Sequence, residues 1–241
     1  MAGQIAPLLN RRAQQRGVAQ QLGACPGSRP GKAVRRRCVL LSAAAAQIQG
    51  STREGKMRRL VMWNMVALDG FFEGPKSWEL DWHEYVWGEE LEQLSIEQLK
   101  SADMLLFGRV TYQGMASHWP SATGEVADIM NGIPKVVFSR TLDKAEWTNT
   151  RLVKADAQDE VAKLKRQPGK DLFIFGSANL SSTLIRKGLI DEYRLGLTPV
   201  VLGGGNPLFK LGPHRLRMSL LEAMPLKSGC VILRYEPRRE N

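Results

Sequence analysis

Asp103-Met104-Leu105-Leu106-Phe107-Gly108-Arg109-Val110-Thr111-Tyr112 joins a short apolar run to a Gly-Arg-x-Thr turn. The run reads as a buried strand, and the residues after the glycine read as the start of a helix. Such a junction suits an anion. Glycine lets backbone approach the ligand, the helix start offers unpaired N–H groups, and Arg109 and Thr111 add a charge and a hydroxyl.

The construction returns further on. Leu172-Phe173-Ile174-Phe175 is a second apolar run, followed by Gly176-Ser177-Ala178-Asn179 and a helical pattern that Gly188 closes. Lys135-Val136-Val137-Phe138 is a third, ending in Ser139-Arg140-Thr141. Phe107, Phe138 and Phe175 thus each close a strand that runs into a turn with donors, and three such ends on one rim form a binding edge.

Working outward, Arg59 to Ala67 reads as an opening strand that leads to Leu68-Asp69-Gly70-Phe71. Leu91, Leu94, Leu99 and Ala102 keep helical spacing over about Glu89 to Ser101. Val126 to Met130 predicts a short helix stopped by Asn131-Gly132 and Pro134. Asp156 predicts an N-cap for a helix that ends before Gln167-Pro168-Gly169. Tyr193, Leu195 and Leu197 alternate along a strand. Leu216 to Leu221 and Cys230 to Tyr235 predict an antiparallel pair. Strands interleaved with helices and a terminal hairpin predict an α/β fold, with a mixed central sheet covered on both faces.

Charge divides the chain unevenly. Of 34 Lys and Arg and 24 Asp and Glu, residues 1–56 hold ten basic residues and one acid, so the net +10 is +9 in the head and +1 in the body. The head has no aromatic residue, while all six tryptophans lie beyond it. Residues 1–56 are therefore expected to be a disordered basic extension and residues 57–241 the folded domain. A start at Met57, an organellar transit peptide and a secretory signal are the readings of the head, the last ranked lowest because Arg35-Arg36-Arg37 sits far from the first residue, and a nucleic-acid-binding arm is the third choice of function. Its apolar run from Val39 to Ala46 is too short to span a bilayer. Cys25, Cys38 and Cys230 match neither a disulfide framework nor a metal spacing, which fits a cytoplasmic protein without structural metal.

Several chemistries find no motif. No GxGxxG opens a strand–helix unit, and Gly203-Gly204-Gly205 lacks the Lys-Ser/Thr of a phosphate-binding P-loop. A Gly-x-Ser-x-Gly nucleophile elbow and a His-Glu-x-x-His metal pair are also absent.

Asn64-Met65-Val66-Ala67-Leu68-Asp69-Gly70-Phe71, Phe107-Gly108-Arg109-Val110-Thr111-Tyr112, Pro134 to Thr141 and Phe175-Gly176-Ser177-Ala178-Asn179-Leu180 occur in one order. Together they resemble the dihydrofolate reductase-like superfamily, in the branch of the C-terminal reductase domain of the riboflavin-biosynthesis deaminase-reductase. The resemblance covers residues 57–237. It implies a three-layer α/β/α sandwich, NADPH as hydride donor, a small heterocyclic substrate and a homodimer. Gly108, Arg109 and Thr111 would hold cofactor phosphates, Ser139 and Arg140 would face the adenosine 2′-phosphate, and Gly176, Ser177, Ala178, Asn179 and Leu180 would cradle the pyrophosphate. Ala67 and Asp69 would lie beside the nicotinamide and substrate, with Asp69 in a catalytic, proton-relay role. Branch reductases place Glu-Gly-Gly where this chain has Phe175-Gly176-Ser177, and that missing carboxylate argues against a phosphoribosyl-aminouracil substrate. A non-catalytic NADP(H)-binding protein of the same fold is the alternative.

Overall fold

Runs such as Leu172 to Ile174, apolar at every position, are stable only where both faces of a strand are covered, and the structure provides that. A computed structural model of the chain describes residues 57–210 and 215–238. The head, residues 1–56, for which disorder is expected, lies outside the described residues.

The chain opens with β1 (Leu60–Ala67) and the three-residue β2 (Phe71–Glu73). Next come a short 3-10 turn at Asp81–Tyr85 and α1 (Glu89–Ser101). The first strand–glycine–helix junction is β3 (Ala102–Gly108) running into α2 (Arg109–His118). It is followed by α3 (Glu125–Gly132), β4 (Lys135–Phe138), β5 (Thr150–Val153) and α4 (Ala157–Arg166). The second junction is β6 (Asp171–Phe175) with α5 (Ala178–Arg186). The rest is strand: β7 (Glu192–Thr198), β8 (Asn206–Pro207), β9 (Met218–Pro225) and β10 (Val231–Pro237).

The main sheet has eight strands in the order β5-β4-β3-β6-β1-β7-β10-β9. Pairing is parallel from β5 through β7, and β10 then pairs antiparallel with both β7 and β9. The expected mixed sheet and terminal pair are both present. Alternate residues of β1 go to opposite cores. Leu60 and Met62 pack with Val161 and Leu164 of α4 and Leu184 of α5. Val61 and Trp63 pack with Leu91 and Leu99 of α1, Tyr112 of α2 and Met130 of α3. Two helices on one face and three on the other make the three-layer α/β/α sandwich.

Local chemistry explains the boundaries. The Asp156 carboxylate accepts the Gln158 N–H at 3.0 Å and caps α4 as its sequence predicts. At the far end of α5, Leu189 N–H reaches back to the Leu184 carbonyl at 3.0 Å, in the closing pattern that Gly188 announces. By contrast α3 runs through Asn131 and Gly132 rather than stopping before them. Lys135 collects its last carbonyls. The Nζ donates to Met130, Asn131 and Ile133 oxygens at 2.8, 3.2 and 2.7 Å, and lies 4.4 Å from the Trp147 ring centre.

The strand order also positions the site. The chain moves from β1 out to β5, then returns to insert β6 between β3 and β1 before continuing to β7. Connections thus leave β1 and β6 in opposite directions. In open sheets of this kind, the carboxyl ends of strands at such a reversal are where ligands bind.

Candidate active site

At these carboxyl ends, β1, β3 and β6 are cross-tied by side chains. Asn64 of β1 accepts the Gly176 N–H on Oδ1 at 2.7 Å. Thr111, one turn into α2, accepts the Ser177 N–H on Oγ1 at 2.9 Å. The Ser177 hydroxyl accepts the Gly108 N–H at 3.0 Å and donates to the Phe175 carbonyl at 3.1 Å. These four bonds each join one strand end or helix start to its neighbour or to its own turn, which fixes the two helix starts relative to each other.

The turn between β6 and α5 needs special backbone. Gly176 has φ +55 and Ser177 has φ +59, two successive left-handed residues. A Cβ on Gly176 would sit 3.1 Å from Thr111 Cγ2. Glycine therefore serves both the conformation and the approach of α2. The strain at Ser177 is held by its three hydrogen bonds.

A cavity of about 680 Å³ opens over these strand ends. Gly108, Arg109, Thr111 and Gly176 through Leu180 line it. So the two helix starts that the sequence singles out converge on one wall. The first-turn N–H groups of α2 and α5 have no intrahelical acceptors, and both helix dipoles present their positive ends there. Lys210 joins this wall, its Nζ 3.3 Å from Asn179 Oδ1. Arg109 is exposed and donates to Gln113 Oε1 at 3.0 Å on its own helix.

Some expected roles change. The N–H groups of Gly108, Gly176 and Ser177 are used by the cross-ties, so the donors left for an anion are the first-turn amides of α2 and α5, among them Ala178, Asn179 and Leu180, and the hydroxyl hydrogen of Thr111, whose oxygen only accepts there. Ser139 and Arg140 follow β4 beside this wall but outside the cavity lining. The Ser139 hydroxyl accepts the N–H groups of Thr141 and Leu142 at 3.2 and 2.9 Å, while Arg140 is exposed. Ala67 and Asp69 do not line the cavity. Ala67 is fully buried. The Asp69 carboxylate is turned to the glycine-rich loop, where it accepts the Leu202 and Gly203 N–H groups at 3.0 and 2.8 Å. Two amides hold that carboxylate away from the cavity.

Residues without an assigned role in the sequence enter the site. Asn64 is a carboxamide inside an otherwise apolar strand, and that break in the pattern is its local signal. Glu73 and Asn206 come from two strands of three and two residues, too short to show any period. The aromatic stretch from Trp78 to Tyr85 divides. Trp78 and His83 line the cavity, Trp82 is buried, and Tyr85 is exposed. Burial pushes the His83 imidazole down to about 4, so it is neutral near pH 7. Among the described residues no group of His, Cys, Asp and Glu could hold a metal ion, and no helix is long and apolar enough to cross a membrane.

Relatives share this architecture. A family profile, the RibD C-terminal domain, matches residues 58–232. The uncharacterized protein YyaP of Bacillus subtilis (strain 168) is 33% identical over 189 residues, covering 76% of this chain and 97% of that one. A solved protein of Shewanella sp. PV-4, named for riboflavin biosynthesis, aligns with TM-score 0.63 at 21% identity, over 75% of this chain and 99% of its own. The dihydrofolate reductase of Enterococcus faecalis, solved with NADP(H), aligns with TM-score 0.52 at 13% identity, over 75% of this chain and 97% of its own. At such identities the two solved structures speak for the fold. By sequence the chain belongs to the RibD C-terminal domain family, and by architecture it has the dihydrofolate reductase-like fold.

Proposed function

We propose that the chain is an NADPH-dependent reductase that delivers a hydride to a small heterocyclic substrate. One observation carries the reading: α2 and α5 open side by side from adjacent strands, locked by the Thr111–Ser177 and Ser177–Gly108 hydrogen bonds, over a single cavity. Paired helix starts with a lysine and an arginine beside them suit a pyrophosphate. The family match supports a reductase, and the NADP(H) of the enterococcal neighbour supports the cofactor.

When bound, NADPH supplies the hydride; the chain's own residues bind, orient and exclude water. Amides of Ala178, Asn179 and Leu180 donate to phosphate oxygens, with Arg109 and Lys210 adding positive charge. Arg140, at the end of the next strand, supplies a cation for the adenosine 2′-phosphate. The deeper wall holds Trp63, Trp87, Trp119 and Phe175, an apolar enclosure in which a ring can be aligned and kept from bulk water. Asp69 is occupied by loop amides, and no proton transfer is assigned to it.

Titration of the full chain with NADPH, followed by tryptophan fluorescence, tests the reading. Binding is expected to saturate, and Arg109→Ala to weaken it about tenfold, as loss of a charged hydrogen bond does. Oxidation of NADPH with a panel of pterins and pyrimidines then tests turnover. Failure to bind NADPH overturns the proposal. Binding without oxidation by any ring of the panel leaves a cofactor-binding protein of this fold in place of a reductase.

A further inference from the structure

Glu73 is the one carboxylate among the described residues lining the cavity. Its Oε1 accepts the Trp78 N–H at 2.5 Å, and its Oε2 accepts from Asn206 Nδ2 at 2.9 Å. Each oxygen of an ionised carboxylate has a second lone-pair site, so both retain acceptor capacity. Among the described residues Glu73 makes no ion pair, and the lining cations Arg109 and Lys210 bond elsewhere, to Gln113 and Asn179. A negative charge beside a largely apolar cavity calls for donors from whatever fills it.

Trp78 is built into the same wall. It holds φ +65, a conformation that bulky residues rarely adopt, and the Glu73 carboxylate fastens its N–H there. The indole occupies the space where Gly114 of α2 lacks a side chain, since a Cβ at that position would lie 1.8 Å from Cζ2. A strained aromatic residue tied to the one carboxylate that lines the cavity among the described residues is an arrangement the cofactor-binding wall does not need.

Two carboxamides supply the complementary chemistry. Asn64 Oδ1 accepts from Gly176, and Gln98 Oε1 accepts from Arg194 at 3.1 Å. Both partners are obligate donors, so neither amide can be turned round. That leaves Asn64 Nδ2 and Gln98 Nε2 as donors, buried and without partners, on residues only 5% and 4% exposed that line the cavity. Unpaired buried donors carry a desolvation cost that an acceptor would relieve.

We infer that Glu73 is a substrate-recognition residue. Its ligand is a planar, phosphate-free heterocycle that presents an amino or amidine N–H edge to Glu73, stacks on Trp78, and offers acceptor atoms to Asn64 and Gln98. The inference rests on the reading that the starts of α2 and α5 hold cofactor phosphates. Arg109 and Lys210 are then occupied, and Glu73 repels a second phosphate.

Calorimetric titration of the full chain, with and without saturating NADPH, distinguishes the two ideas. The probes are 2,4-diaminopyrimidine, uracil and uridine 5′-monophosphate. The wild-type protein is expected to prefer the diamine over uracil by about tenfold or more and to show no gain from the phosphate. Glu73→Gln keeps an acceptor for Trp78 N–H and can exchange donor and acceptor with Asn206, so it removes charge while keeping geometry. It is expected to abolish the preference and leave NADPH affinity within about twofold. Equal affinity for the diamine and uracil, tighter binding of the phosphorylated probe, or an unchanged preference in Glu73→Gln overturns the inference. If that variant fails to fold, the wild-type ranking alone decides. A chain that ranks the probes as expected but never binds NADPH sinks the proposed function and leaves the assignment of Glu73 standing.

Discussion

The Thr111 hydroxyl oxygen and the Ser177 backbone N–H lie 2.9 Å apart, tying the first turn of one helix to the residue that opens another. Both residues are buried, so this amide has no water to turn to. Thr111→Val preserves shape but deletes the acceptor. It is expected to lower unfolding free energy by roughly 1–3 kcal/mol and to weaken NADPH, because the α5 amides lose their fixed aim. Thr111→Ser is expected to restore most of both. Urea unfolding alongside cofactor titration checks the pair; a valine variant with undiminished stability would show that the bond contributes nothing.

Arg140 is exposed beyond β4 and outside the cavity lining. If it meets the 2′-phosphate, Arg140→Ala is expected to raise the Kd for NADPH about tenfold while leaving NADH unaffected, since only one of the two carries that group. Equal losses for both cofactors would exclude this contact.

The Asp69 carboxylate serves the loop from Leu202 to Gly203. Asp69→Ala is expected to cost about 1 kcal/mol, a typical net value for exposed hydrogen bonds lost together, and Asp69→Asn less, since its carbonyl oxygen still accepts. Denaturant titration of the two variants makes the comparison. An asparagine variant as damaged as alanine would mean that the negative charge, rather than the acceptor, matters.

Much of this molecule could be read before folding it. Leu105 to Phe107 and Leu172 to Ile174 are apolar at every position because α/β sheets cover both faces, and that signature survives in sequence. The helix starts were legible because a glycine after an apolar strand is a local signal. β5 was not: Thr150 to Val153 is a half-exposed edge strand with mixed chemistry. The cross-ties were not legible either, since Asn64 and Gly176 are 112 residues apart and nothing local to either names its partner. Lys135 misleads in the same way. Nothing beside it in the sequence shows that this charged residue is 1% exposed because three carbonyls of the α3 end receive its ammonium.

That burial gives a stability test remote from the site. Lys135→Met fills similar volume but leaves the carbonyls of Met130, Asn131 and Ile133 without their shared donor. A loss of roughly 3 kcal/mol is expected by chemical denaturation, with NADPH affinity within about twofold of wild type, because Lys135 lies at the opposite end of β4 from the cavity. A cofactor affinity that fell in step with stability would show the two ends of the sheet to be coupled.

His83 sets the acid limb. Its folded-state pKa is pushed below the ordinary 6.5 to about 4 by burial, with Asp81 opposing the shift. Between those values the unfolded chain binds a proton that the folded chain refuses, so unfolding takes up protons and stability falls as pH falls. The contribution is complete above pH 6.5 and lost on acidification through about 4, amounting to no more than about 3 kcal/mol at 1.36 kcal/mol per pKa unit. His83→Phe keeps a ring beside Trp82, which His83 meets edge-on with centres 4.3 Å apart. In urea titrations from pH 7 down to 4, the variant is expected to lose this part of the slope, whatever other carboxylates contribute. Identical slopes in variant and wild type would mean that His83 takes up its proton in the folded state as readily as in the unfolded chain, and is hydrated rather than buried.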